Sequence, residues 1–220
     1  MALLAAVRLV VDARLPAKLQ PPIHFATAVC VLGVARAAGA TASDLGVEPR
    51  RLGRGVLLGV AVGGVAAGVV SAAGRHDRLS PRLAERGSDE HSHREAAFEA
   101  AVRIPVNTAL YEELVFRSAL LGLALEVVPP VAAVGMTSAL FGLWHLPHVV
   151  ALPGSVGPVE EATAGGLATV GVTAVGGVLF SVLRLTSGSV AAPVALHALV
   201  NSSAFLAARS ANARHCADSG

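Results

Sequence analysis

Residues 110–128, LYEELVFRSALLGLALEVV, set two glutamates and an arginine into a mostly apolar run that is otherwise uncharged up to Glu126. On an α-helix Glu113 and Arg117 are four residues apart, share a face and can pair. Glu112 is rotated from Glu113 by about 100° and points elsewhere, toward a polar cavity if there is one. Two adjacent carboxylates, one tied to arginine and one not, can differ in protonation and in task. A plainer reading places the pair at an interfacial helix start, where acidic residues favour the positive end of the dipole. That accounts for one glutamate and leaves Arg117, deeper in the run, unexplained.

The surroundings of this stretch explain why such residues are informative. The 220-residue chain is 54% apolar and 15% charged, where a soluble domain carries about 25% charge. Its mean hydropathy is +0.64. Further runs suit membrane helices, which need about 20 mostly apolar residues: Gly55–Ala73, Pro129–Leu152, Ala162–Leu183, Leu185–Ala208 and Ile23–Ala42, the last interrupted by Arg36. The first 17 residues form a short seventh span or a surface helix. The expected fold is therefore all-α: a polytopic transmembrane bundle of six to seven helices in one domain, residues 1–220, with an intramembrane polar cavity. Gly59-x-x-x-Gly63 and Gly64-x-x-x-Gly68 fit close helix approach, although 23 glycines make such spacings common.

Charge excludes some partners. A net charge of +2 is too mild for nucleic acid, and the arginines sit in polar connections as membrane flanks do. Arg50, Arg51 and Arg54 compete with the arginines of Gly74–Glu95, so charge leaves the sidedness open. Cys30 and Cys216 form no C-x-x-C, so neither a disulfide framework nor a zinc ribbon is indicated. His91 and His93 lie in a mixed-charge loop that reads as solvated.

Ionisable groups in a span are costly unless paired or facing a cavity, and are functional candidates by default. Two more sets accompany the glutamates. His145 closes Phe141-Gly142-Leu143-Trp144-His145, with Pro147 marking a helix end or kink and His148 near the interface. His197 and Asn201 are four apart on one apolar helix, placed to join helices or to serve a site. A carboxylate and a neutral imidazole can hold a water and take its proton. A second histidine and an amide can donate to an oxyanion. Hydrolysis of a peptide bond needs that set. Neither G-x-S-x-G nor H-E-x-x-H is present.

The order Glu112-Glu113-x-x-x-Arg117, Phe141-x-x-x-His145, His197-x-x-x-Asn201 resembles the signature of the CAAX-protease and bacteriocin-processing (CPBP, Abi-type) intramembrane proteases. The stretches EELVFRSALL, SALFGLWHLPH and GVLFSVLRLTSGSVAAPVALHALVNS read like bacterial members, and Asp44-Leu45-Gly46-Val47 resembles their upstream region. The resemblance covers Leu110 to about Phe205 and implies a catalytic core over 110–205. It implies a multi-pass protein of the cell membrane that cleaves a peptide or the tail of a membrane-associated protein. By the same resemblance Glu112 and His145 activate the water, and His197 and Asn201 stabilise the oxyanion. Glu113 and Arg117 hold the helix as an ion pair, with Glu113 able to share in the chemistry. The family is often called metalloprotease, so Glu112, His145 and His197 are the zinc ligands if a metal is used, and a metal-free, glutamate-activated water is the competing mechanism. Two other classes fit the same residues: a non-enzymatic immunity or scaffold protein, and a small transporter with Glu112 as its proton site.

Overall fold

Proline opens three of the helices. α1 (Gln20–Ala37) and α2 (Pro49–Ala73) carry it at their first or second position, as does the later helix Pro130–Trp144. There the missing N–H has no intrahelical bond to lose, and the fixed φ is already helical. The computed structural model describes residues 10, 11, 14–76, 92–145 and 159–218, with the side chains of 159–165 and 217–218 excepted. His91, Pro147, His148, most of the first 17 residues and most of the 74–95 connection lie outside the described residues.

Between α2 and Pro130–Trp144 runs one long helical stretch, α3, made of His93–Phe98, Glu99–Leu110, Tyr111–Glu113, Leu114–Leu120 and Leu121–Leu125. Ser92 and Glu95 cap it reciprocally: each side chain accepts from the other's backbone N–H, which satisfies two donors that a helix start leaves open. Over Glu99–Leu110 and Leu114–Leu120 the helix widens to i→i+5 hydrogen bonding. Pro105 lies within the first wide segment, where it can supply no i→i−4 bond. Wide turns of this kind occur often at functional positions. Because α3 starts at His93, Glu112 and Glu113 lie in its interior, and the helix-start explanation of the two glutamates does not apply.

Pro130–Trp144 is α4, Val159–Ser187 is α5 and Ala191–Asp218 is α6. The described residues thus form an all-helical bundle. Three helices, Pro49–Ala73, Gly166–Ser187 and Ala191–Cys216, are long and apolar enough to cross a membrane, and Pro130–Trp144 is a shorter apolar helix. Leu57, Val60, Val65 and Val69 on α2, and Val172, Val175 and Leu179 on α5, are exposed. Outward apolar faces on long apolar helices suit a lipid surround, and the chain is membrane-embedded.

Several expected boundaries change. The span expected over 23–42 stops at Ala37, and Gly39 turns the chain at φ 105°. The span expected to begin at Leu185 begins at Ala191, because α5 continues to Ser187 and Gly188 breaks it at φ 67°. Left-handed φ suits glycine, which has no Cβ to clash. α4 is described from Pro130 to Trp144, and the expected end at Leu152 lies outside the described residues.

α2 and α6 pack along each other, α5 packs on α4, and α3 lies against α1 and α6. A Cβ on Gly59 would collide with the Ala192 carbonyl, and one on Gly63 with the Leu196 backbone. Gly59-x-x-x-Gly63 therefore serves the α2–α6 seam, whereas Gly64 and Gly68 face open space. The α1–α2 connection is equally specific. Thr41 N–H and Oγ donate to the Asp44 carboxylate, and the Thr41 side-chain bond holds that carboxyl below its ordinary value. Arg184 of α5 donates to the carbonyls of Ser43 and Asp44 at 3.0 and 2.8 Å. Ser118 of α3 donates to the Leu45 carbonyl, and Val190 N–H to that of Gly46.

Gly59→Leu is expected to cost about 1–3 kcal/mol by overpacking the seam, while Gly64→Leu leaves stability unchanged. Thermal unfolding of the full chain in detergent checks both.

Candidate functional site

Glu112, Glu113, Arg117, His145 and His197, read from three separate stretches of sequence, meet inside the bundle. α3 supplies the two carboxylates and the guanidinium, the C-terminal end of α4 supplies Trp144 and His145, and α6 supplies His197 from its second turn. Glu112 and Glu113 are fully buried, Arg117 and His197 nearly so, and His145 is 21% exposed, which makes it the open side of the cluster.

Glu113 is shared. Its Oε1 accepts from Nδ1 of His197 at 2.8 Å, and its Oε2 lies 3.3 Å from Nε of Arg117. An ionised carboxylate only accepts, so the proton of His197 sits on Nδ1 and its Nε2 presents a lone pair. His145 is oriented likewise: Nδ1 donates to the Phe141 carbonyl at 2.8 Å, because a carbonyl only accepts. Both Nε2 atoms face Glu112, whose Oε2 is 3.9 Å from each. The other oxygen, Oε1, accepts from the Trp144 indole N–H at 3.1 Å. The two carboxylates therefore flank the His197 imidazole, Glu113 on its Arg117 side and Glu112 on its His145 side.

Aromatic rings line the cluster. Phe180 stacks on His197 with centroids 4.8 Å apart, and Phe141 meets the His145 ring edge-on at 4.7 Å. The Arg117 guanidinium lies 3.9 Å from the Phe141 centroid and 5.1 Å from that of Phe180, a cation–π arrangement that suits a desolvated arginine. Low-dielectric walls strengthen every charge interaction inside them. Asn201, one turn beyond His197 on α6, is half-buried.

The 3.9 Å gaps say what fits between these groups. A water at about 2.8 Å from two such atoms subtends roughly 90° between them, a comfortable angle. Carboxylate and imidazole are also zinc-type donors, yet tetrahedral zinc with bonds of about 2.0–2.2 Å brings its ligands to roughly 3.4 Å of one another. Among the described residues no group of three His, Cys, Asp or Glu has metal-holding spacing. The donor types match zinc, and the separations match a bridging water better.

Three residues carry weight here that the sequence did not single out. Trp144 was visible as the chain's one tryptophan, directly before His145. Phe180 and Arg184 had no sequence signal beyond an aromatic and a cation in an apolar helix.

Residues 95–203 match the family described as Type II CAAX prenyl endopeptidase Rce1-like. The matched segment begins near the start of α3, ends two residues beyond Asn201 and so contains every candidate residue. No curated protein and no solved structure gives a significant match.

Replacing Arg117 by methionine strands Glu113 as a buried charge. Arg117→Met is expected to lose about 3–5 kcal/mol, and Arg117→Met with Glu113→Gln to recover part of it. Unfolding of both variants in detergent gives the comparison.

Proposed function

Over residues 95–203 this chain belongs to the Rce1-like family of type II CAAX prenyl endopeptidases, and from that premise we propose that it is a multi-pass endopeptidase of the cell membrane whose water is activated by Glu112 and His145. The family makes it a membrane-embedded protease; the substrate would be a peptide or the tail of a membrane-associated protein. The observation that carries the reading is the position of Glu112 Oε2, 3.9 Å from the Nε2 atoms of both His145 and His197.

A water in that gap donates to the carboxylate and to an imidazole lone pair. As its oxygen bonds to the scissile carbonyl carbon, one proton passes to Glu112, and the carbonyl oxygen becomes an oxyanion. The protonated Glu112 then delivers that proton to the leaving nitrogen as the C–N bond breaks, so the products are an acid and an amine. The oxyanion needs a donor. His197 commits its Nδ1 proton to Glu113, so its Nε2 donates only after taking a proton. The Asn201 amide is the donor that needs no such step. Glu113 and Arg117 keep the His197 ring turned with Nε2 inward, as the buried carboxylate of a hydrolase triad does for its histidine.

If a metal is used, Glu112, His145 and His197 are the residues that would hold it, and zinc would supply Lewis-acid activation of the water. The spacing favours the metal-free form.

In purified wild type, cleavage of an internally quenched peptide library is expected to be indifferent to chelator. Glu112→Gln is expected to abolish it, at least about 10³-fold, with the fold intact. Loss of cleavage on chelation and its return with zinc would favour the metal form instead. Full cleavage by Glu112→Gln, His145→Ala and His197→Ala alike would remove the site assignment.

A further inference from the structure

The C-terminal end of α4 places two side chains against Glu112 from adjacent positions: His145 toward Oε2 and Trp144 toward Oε1. A carboxylate has two oxygens on one rigid plane. Fixing one oxygen therefore fixes where the other points. We propose that Trp144 is the positioning residue of Glu112, and that its indole N–H holds Oε1 so that Oε2 stays turned to the gap between His145 and His197. This rests on the protease reading above.

The indole is itself held. Trp144 is 7% exposed. Its ring meets Phe116 edge-on with centroids 5.6 Å apart and Tyr111 at 6.2 Å in a tilted contact. Tyr111 and Phe116 belong to α3, so the helix that carries Glu112 also grips the group that orients it. Such support sets a catalytic carboxylate's geometry to fractions of an ångström. An indole suits the task because it has one N–H, no acceptor and no titration. It cannot take the proton that Glu112 must pass on, nor can it change partner as the reaction proceeds.

The competing partner for Glu112 is near in sequence. Arg117 lies on the same helix, and its Nη1 and Nη2 are buried without a hydrogen bond among the described residues. A carboxylate released from Trp144 gains by turning toward that cation. Ion pairing there would withdraw Oε2 from the histidines and leave the water without its base. The indole bond opposes that turn, which is a role distinct from filling space.

Trp144 is the chain's one tryptophan, so a tryptophan analogue enters at this position alone. The test replaces it with benzothienylalanine, which keeps the ring shape and has sulfur in place of N–H, and in parallel makes Trp144→Phe. Both full-length proteins are assayed in detergent on a peptide that wild type cleaves. The expected result for the analogue is a fall in kcat of about 10- to 100-fold, with KM within about twofold and an unchanged thermal midpoint. Trp144→Phe is expected to lose at least as much kcat. Unchanged kcat in the analogue overturns the proposal. A joint change of kcat, KM and midpoint in the analogue also overturns it, because it would mean that the ring only packs. Independently, the indole ¹H–¹⁵N resonance of labelled wild type is expected to move in Glu112→Gln. A resonance that stays put while wild-type cleavage is intact sinks the positioning role alone. A wild type that cleaves no peptide sinks the protease reading and the role with it.

Discussion

A buried glutamate held between an arginine and a histidine organises this bundle. Glu113 takes the Nδ1 proton of His197 on one oxygen and faces Arg117 with the other. Each of these groups would be expensive to bury alone, since removing an ion from water costs several kcal/mol even after relaxation. Together, with Phe141 and Phe180 against the guanidinium, they form a set drawn from α3, α4, α5 and α6. The same contact turns His197 so that its second nitrogen faces Glu112. One buried carboxylate thus ties α3 to α6 and sets the tautomer of a candidate site residue.

The start of α6 depends on a different anchor. Helix association in lipid gains little from the hydrophobic effect and leans on close packing and hydrogen bonds. The Gly55, Gly59 and Gly63 face brings α2 against Ser189, Ala192 and Leu196, and the Gly46 carbonyl takes the N–H of Val190 just before α6 begins. Gly46 itself has φ 66°, and a Cβ there would overlap the Arg184 guanidinium. Arg184 in turn donates to two carbonyls of that turn. The register of α6, and with it the height of His197, follows from these contacts.

Much of the site was legible because lipid makes polar residues conspicuous. Glu112, Glu113, Arg117, His145 and His197 stand out in apolar runs for a single energetic reason, and their order along the chain gave the family resemblance. The helix limits were less legible. Hydropathy does not register that Gly39 and Gly188 adopt left-handed φ, so the ends of α1 and α5 were misplaced. Nor does it register i→i+5 turns, which widen α3 beside Pro105 and on both sides of the Tyr111–Glu113 turn. The i,i+4 rule paired Glu113 with Arg117, and the rotation of about 100° per residue turned Glu112 to His145 and Trp144; that His197 lies between the two carboxylates was not legible.

By itself the sequence determined the solvent, the helical class and the identity of the polar residues that lipid would not tolerate unpaired. Those follow from composition and local pattern, which are properties of neighbouring residues. Only the tertiary structure decided which oxygen of each glutamate meets which nitrogen. It brought Trp144 to Glu112 across 32 positions and His197 to Glu113 across 84. Such pairings depend on helix rotation and register, which are set by glycine contacts, a buried arginine and a left-handed turn far from the residues they align.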